Sequence, residues 1–236
     1  MTPRISVVVP VYNEAAFIPT ALPALITAVE SVGAPFEILI VENGSTDGTA
    51  DAAVAASGMA PVKVISHARA DYGEAMYQGF EAASGDWVVN FDIDYFSGRF
   101  LRHVIEIDNA DIVIGSKRDP DSEDRRPLIR RIATRVFNVL LRTILDSGVS
   151  DTHGMKAFRR DLVDKLNSQV VSRQDLFDTE LVIRAERAGF EIVEVPVVVE
   201  ELRTARSSLI KRVPRTVAGL FRIRRLLSEA PSRAGS

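Results

Sequence analysis

Two carboxylates one residue apart, Asp92 and Asp94, close the apolar run Trp87-Val88-Val89-Asn90-Phe91. A run of that kind reads as a buried strand, and side chains two apart on a strand point to the same face. Neighbouring carboxylates repel each other unless a cation lies between them. Mg²⁺ or Mn²⁺ prefers oxygen ligands and suits one or two carboxylates completed by substrate phosphates. The pair therefore points to a metal-bound diphosphate. An isolated Asp-x-Asp is also common as a solvated turn, but two earlier polar strand ends in this chain favour the site.

Those two ends are Pro10-Val11-Tyr12-Asn13-Glu14, closing Ile5 to Val11, and Glu42-Asn43-Gly44-Ser45-Thr46-Asp47-Gly48-Thr49, following Phe36 to Val41. The second, taken alone, also reads as an Asx turn with a helix N-cap. Pro10 to Ala15 contains no glycine, so the Gly-x-Gly-x-x-Gly turn of a dehydrogenase is missing, and no Gly-x-x-x-x-Gly-Lys-Ser/Thr loop cradles a triphosphate. The chain has no cysteine, which excludes thiol catalysis, a disulfide scaffold and Cys-ligated zinc or iron. His67, His103 and His153 are not spaced as a metal site; His153, between Asp151 and Gly154, is the one that falls near other polar residues of interest.

Elements that could position these residues follow one another regularly. Strand-like runs at Ile5 to Val11, Phe36 to Val41, Val62 to Ser66, Trp87 to Phe91 and Asp111 to Ser116 alternate with helix-compatible stretches, among them an Ala-rich one ending near Val32, Thr46 to Ser57 and Asp71 to Ala83. This alternation predicts an α/β fold with a mixed, mainly parallel sheet flanked by helices and a ligand site beyond the strands' carboxyl ends. Past Ser116 comes a polar loop, Lys117 to Arg126, then the amphipathic stretch Leu128 to Leu145. A strand from Gly154 to Phe158, a helix from Phe177 to Ala188, a strand from Glu191 to Val199 and an amphipathic helix from Ser207 to Leu227 follow. With no linker between halves, the expectation is one domain over 1–236. Within it, the change of character near 116 divides 1–116 from 117–227, and 228–236 reads as a frayed tail.

The net charge of −3 conceals segregation. Arg125 to Leu145 carries six arginines and no acid, Arg203 to Arg225 carries eight bases and no acid, and all 32 acidic residues lie elsewhere. In both stretches the apolar residues recur at helical spacing: Leu128, Ile129, Ile132, Val136, Val139 and Leu140 in one, Leu209, Ile210, Val213, Val217, Leu220 and Phe221 in the other. Basic amphipathic helices suit an anionic membrane surface, although such stripes also simply pack on a core. Nucleic acid is not expected, because no aromatic stacking platform accompanies the arginines. No apolar run approaches the about 18 residues of a membrane span, and no signal peptide is read. The expectation is a cytoplasmic protein, peripheral on the membrane's cytoplasmic face, reaching lipid directly or through a separate membrane protein subunit.

Taken in order, these segments resemble the family 2 glycosyltransferases of the GT-A fold, most closely the polyprenyl-phosphate sugar synthases of the dolichol-phosphate mannose synthase type. The resemblance spans roughly residues 4 to 225. It rests on Val8 to Glu14, Val41 to Thr49, Gly73-Glu74-Ala75 with Gly79, Gly85-Asp86, Asp92-Ile93-Asp94, Gly115-Ser116-Lys117, Asp151 to Arg160, and Glu180 through Val195-Pro196. It implies that 1–116 is a nucleotide-sugar-binding half and 117–227 an acceptor half, that Pro10, Tyr12, Glu14 and Asn43 line the nucleoside pocket of a UDP- or GDP-sugar, that Glu42, Asp47, Ile93 and Lys117 also serve donor binding, and that Asp92 and Asp94 face the metal and the sugar diphosphate. Direct displacement with inversion at the anomeric carbon is implied likewise. The acidic pair usual at 42 and 43 reads Glu42-Asn43 here, and Arg203 to Ser208 departs from the family's Gly-x-Ser-Lys segment.

Lys117 and Arg118 are placed to offset charge on a departing diphosphate. A lipid monophosphate acceptor is already ionised, so it needs positioning rather than a base; Arg118, Arg131, Arg203, Arg206 and Ser207 are the expected phosphate contacts. A hydroxyl acceptor would instead need Asp151, Asp178 or Glu180 as base. The remaining alternative is a non-catalytic sugar-nucleotide-binding subunit.

Overall fold

A computed structural model of the chain describes residues 4–117, 122–124, 128–149, 152, 154–199 and 209–229. The strands are β1 (Ile5–Val11), β2 (Phe36–Asn43), β3 (Val62–His67), β4 (Trp87–Asn90), β5 (Ile112–Ser116), β6 (Glu123–Asp124), β7 (Lys156–Arg159), β8 (Ile192–Pro196) and β9 (Val198–Val199), most of them rich in β-branched residues. The helices are α1 (Ile18–Glu30), α2 (Thr49–Ala56), α3 (Tyr72–Ala82), α4 (Gly98–Glu106), α5 (Leu128–Leu145), α6 (Arg160–Leu166), α7 (Phe177–Arg187) and α8 (Leu209–Glu229).

Seven strands form one sheet in the order β3-β2-β1-β4-β7-β5-β8. All neighbours are parallel except around β7, which runs antiparallel between β4 and β5. That reversal puts the start of β7 at the same edge as the carboxyl ends of the other strands, with Lys156 opposite Asn90. Period-two alternation sorts the strand residues to two sides. Val7, Val9, Ile38, Ile40 and Val89 pack with α1 and α4, while Val8, Leu39, Val41 and Val88 pack with α3, α6 and α7. Gly79 lets α3 lie close on the sheet, since a Cβ there would come 2.9 Å from Val41 Cγ2. A third apolar cluster joins α5, α7 and α8 through Leu141, Ile144, Leu145, Ile183, Leu220 and Ile223.

Several expected boundaries move. Helix α2 starts at Thr49 rather than Thr46, because Gly48 sits at φ +86° and the Asp47 carboxylate accepts the Thr49 N–H. The strand expected from Glu191 to Val199 divides at Pro196: Val197 donates its N–H to Ser122 Oγ, and β9 pairs with β6 in a separate two-stranded ribbon. The expected strand at Gly154 begins at Lys156. Helices α4 and α6 were not anticipated, although Phe100, Leu101 and Val104 bury one face of α4 at helical spacing and Ser97 Oγ caps it by accepting the Phe100 N–H. Helix α8 continues through Glu229, beyond the expected start of the tail; residues 230–236 lie outside the described set.

Candidate active site

The first two polar strand ends are locked to each other. Asn13, held at φ +53°, donates its N–H to Ser45 Oγ at 2.9 Å and accepts from Thr46 N at 2.9 Å. Glu14 N–H donates to Thr49 Oγ1 at 2.8 Å, and Asp47 receives the Ala15 and Thr49 N–H groups. The Thr49 hydroxyl and these amides hold the Asp47 carboxyl below its usual range. Glu42 is buried and accepts from Ser45 N, so it shapes its own loop. Asn43, also buried, accepts the Asp71 N–H at 2.7 Å and ties β2 to the entry of α3. Tyr12 is 47% exposed at this rim and Pro10 is half-buried.

The centre lies beyond β4. Phe91 and Ile93 are buried, so alternation turns Asp92 and Asp94 away from the core, and the Tyr95 N–H closes a turn on the Asp92 carbonyl at 3.0 Å. The Asp92 side chain is exposed to solvent. Partial desolvation where it meets the protein, with the negative charges of Asp94 and Asp178, raises its pKa from 3.8 to about 6 against the opposing pull of Lys156 and Lys117. Lys117 is brought beside this pair: a Cβ on Gly154 would meet Lys117 Nζ at 3.1 Å and Tyr95 Cε1 at 3.7 Å.

Behind Asp92 sits a group that the sequence reading passed over. Lys156 is fully buried; its ammonium lies 2.7 Å from Asp178 Oδ2 and donates to the Gly154 carbonyl at 2.8 Å. Asp178 Oδ1 accepts the Thr179 N–H, and Thr179 shares a hydroxyl contact with Thr152. The Tyr72 phenol completes the floor, 3.4 Å from Asn90 Nδ2. Burial and the charges of Asp178 and Asp92 keep its proton on well above the ordinary phenol range. A lysine inside the otherwise apolar Met155-Lys156-Ala157-Phe158 was the available signal, because a buried lysine almost always has a specific partner.

Glu180 is placed differently from Asp178. It is fully buried, and its two oxygens accept the Val171 and Ser172 N–H groups and the Arg184 guanidinium. It braces the segment whose backbone presses on Gly73 at the start of α3. Arg131 is exposed on α5. Arg118, Asp151, Arg203, Arg206 and Ser207 lie outside the described residues, as does His153. Structure thus gathers Asp92, Asp94, Lys117, Lys156, Asp178 and Tyr72 at the middle of the sheet edge, with Asn43 and the Asn13–Asp47 lock on the β1–β2 side.

Comparison with known proteins places this arrangement. Residues 6–166 match the sequence model of the family described as Glycosyl transferase family 2. The chain is 35% identical over 205 residues to glycosyltransferase AglD of Haloferax volcanii, covering 82% of this chain and 32% of that one. It is 32% identical over 169 residues to undecaprenyl-phosphate 4-deoxy-4-formamido-L-arabinose transferase of Salmonella typhimurium, covering 69% of this chain and 51% of that one. The chain therefore spans about a third to a half of the length of these relatives. Among solved structures, glucosyl-3-phosphoglycerate synthase from Mycobacterium tuberculosis with Mn²⁺, UDP and glucosyl-3-phosphoglycerate superposes with a TM-score of 0.70 at 22% identity, covering 99% of this chain and 83% of that one. The same enzyme with Mg²⁺ and UDP gives 0.69 at 22% identity, with the same coverage of each chain. The shared fold is GT-A.

Proposed function

The chain belongs to glycosyl transferase family 2, and from that premise we propose that it transfers a sugar, with inversion, from a UDP- or GDP-sugar to a polyprenyl phosphate at a membrane surface. The observation that carries this reading is the convergence of Asp92, Asp94 and Lys117 at the sheet edge, backed by the buried Lys156–Asp178 pair.

The residues fit a divalent cation. Crowding of Asp92 by two other carboxylates is the condition a cation relieves; among the described residues no group of three His, Cys, Asp or Glu side chains is arranged to hold a metal ion by itself, so substrate oxygens would have to supply part of the shell. Asp92 and Asp94 would hold Mg²⁺ or Mn²⁺, with phosphate oxygens and water completing the shell. When bound, the cation acts as a Lewis acid that neutralises charge on the leaving diphosphate. Lys117 adds a cationic donor on the same side. The acceptor phosphate oxygen forms the new bond to the anomeric carbon as the bond to the diphosphate oxygen breaks, and the nucleoside diphosphate departs with the electron pair. An ionised phosphate has no proton to lose, so this step needs orientation and no base.

Two of the three carboxylates that could serve a hydroxyl acceptor are engaged otherwise: Glu180 is occupied on both oxygens and Asp178 is paired with an ammonium at 2.7 Å, while Asp151 lies outside the described residues. Both relatives are named for sugar transfer, the second from Salmonella typhimurium for an undecaprenyl-phosphate acceptor, which favours a lipid phosphate here. Among the described residues no helix is long and apolar enough to cross a membrane. The proposed acceptor step takes place at the membrane surface, on its cytoplasmic face. The test incubates the protein with Mg²⁺ or Mn²⁺, liposomes holding polyprenyl phosphate, and UDP- and GDP-sugars labelled in the sugar. Metal-dependent label in the organic phase, lost in Asp94→Ala, is expected; nucleotide sugar that binds yet leaves all label aqueous would refute the lipid acceptor.

A further inference from the structure

Helix α5 carries apolar residues on two faces, and among the described residues only one of them is covered. Leu141, Ile144 and Leu145 are buried in the cluster shared with α7 and α8. Leu128, Ile129, Ile132, Val136 and Val139 are between 48% and 67% exposed. At 3.6 residues per turn these five fall within about 100° of arc, forming one continuous aliphatic stripe along a helix about 27 Å long. Arg131, Arg135 and Arg142 are exposed as well and fall within an adjoining arc of about 40°. No acidic residue occurs from Arg125 to Leu145 to offset them. Helix α8 is arranged differently: Leu220 of its stripe, with the neighbouring Ile223, is buried in the cluster shared with α5, while Val213 and Phe221 are each 54% exposed, so its apolar residues are divided between core and surface.

We propose that the outer face of α5 docks on an anionic phospholipid surface, its aliphatic stripe entering the headgroup–acyl boundary and its flanking arginines pairing with lipid phosphates. Charge complementarity selects this occupant. A lipid surface of opposite sign satisfies both the apolar and the cationic parts of the face, whereas two copies meeting face to face would oppose arginine to arginine. This deepens the lipid-phosphate reading above and rests on it for its purpose, since docking along α5 would hold the sheet edge near an acceptor anchored in the bilayer.

The experiment sediments the protein with vesicles of phosphatidylcholine alone or mixed with phosphatidylglycerol, without donor or acceptor, at rising salt. Wild type is expected to sediment with the anionic vesicles and to be released by salt. Ile132→Glu with Val136→Glu, both on the exposed stripe, should lower that binding about tenfold or more while leaving nucleotide binding and transfer to a short, water-soluble polyprenyl phosphate unchanged. Should that variant not fold, Arg135→Gln with Arg142→Gln provides the second arm, expected to weaken binding and flatten its salt dependence. Failure of wild type to bind anionic vesicles, equal binding of the folded variant, or a dimer abolished by the same substitutions in place of vesicle binding would each overturn the proposal. Vesicle binding through α5 without transfer to any polyprenyl phosphate would leave docking standing and remove the acceptor reading instead.

Discussion

Asp92 is asked to be a carboxylate where its neighbours favour the acid. Its pKa rises from 3.8 to about 6, so the folded chain holds this proton more tightly than the unfolded one. The resulting contribution to stability is fully present below about pH 4 and is lost as pH climbs through 6. Asp92→Asn removes the charge without the volume. It should therefore raise the unfolding temperature of metal-free protein at pH 7, with the gain disappearing toward pH 4, while abolishing transfer; thermal melts in chelator across that range decide it. Asp94→Ala should lower turnover by roughly a hundredfold or more, the scale of losing one electrostatic element of the transition state. Lys156 obeys a different rule. Truncating one member of a buried ion pair leaves the other charge stranded, at a cost of about 3–5 kcal/mol, whereas replacing both can be near neutral. Urea unfolding of Lys156→Met should show that loss and the double variant with Asp178→Asn should recover most of it. Additive losses in the double variant would mean the pair is not coupled.

At the scale of elements, the site depends on how α3 and α7 meet the sheet. The Gly73 N–H donates to the Gln174 carbonyl, and a Cβ at Gly73 would lie 2.6 Å from the Arg173 carbonyl oxygen. Glu180 on α7 holds the same segment by its Val171 and Ser172 amides. Gly73→Ala should thus cost about 1–3 kcal/mol in denaturant unfolding. An unchanged midpoint would show that the segment yields freely. Much of this layer was readable from residue pattern, because strands with buried faces and helices with one apolar stripe announce their period. The direction of β7 was not. Four residues, Lys156 to Arg159, have the same apolar pattern whether parallel or antiparallel, and only pairing with β4 and β5 reverses them. Lys156 escaped notice for that reason: its partner, Asp178, comes from α7, and nothing local to either residue foretells their 2.7 Å contact.

For the whole molecule, a ligand that binds only the folded chain stabilises it in proportion to its saturation, about 2.7 kcal/mol at a hundred times its Kd. UDP or GDP with Mn²⁺ should accordingly raise the unfolding temperature, and Asp94→Ala should abolish the metal-dependent part; a nucleotide shift indifferent to metal would argue against Asp94 as a ligand. The chain by itself was enough to determine the α/β class, the position of Asp92 and Asp94 beyond a strand's carboxyl end and the segregation of charge, because strand alternation, helical period and motif order are local properties. Tertiary structure decided the rest. It distinguished Asp178, paired with a lysine beside Asp92, from Glu180, consumed in bracing a loop, although both are acids at the start of one helix. It also left the outer stripe of α5 exposed while dividing that of α8, with Leu220 buried and Val213 and Phe221 exposed. Burial and pairing belong to surfaces that meet across long sequence separations, and a period read along one helix cannot say which of its faces will find a partner.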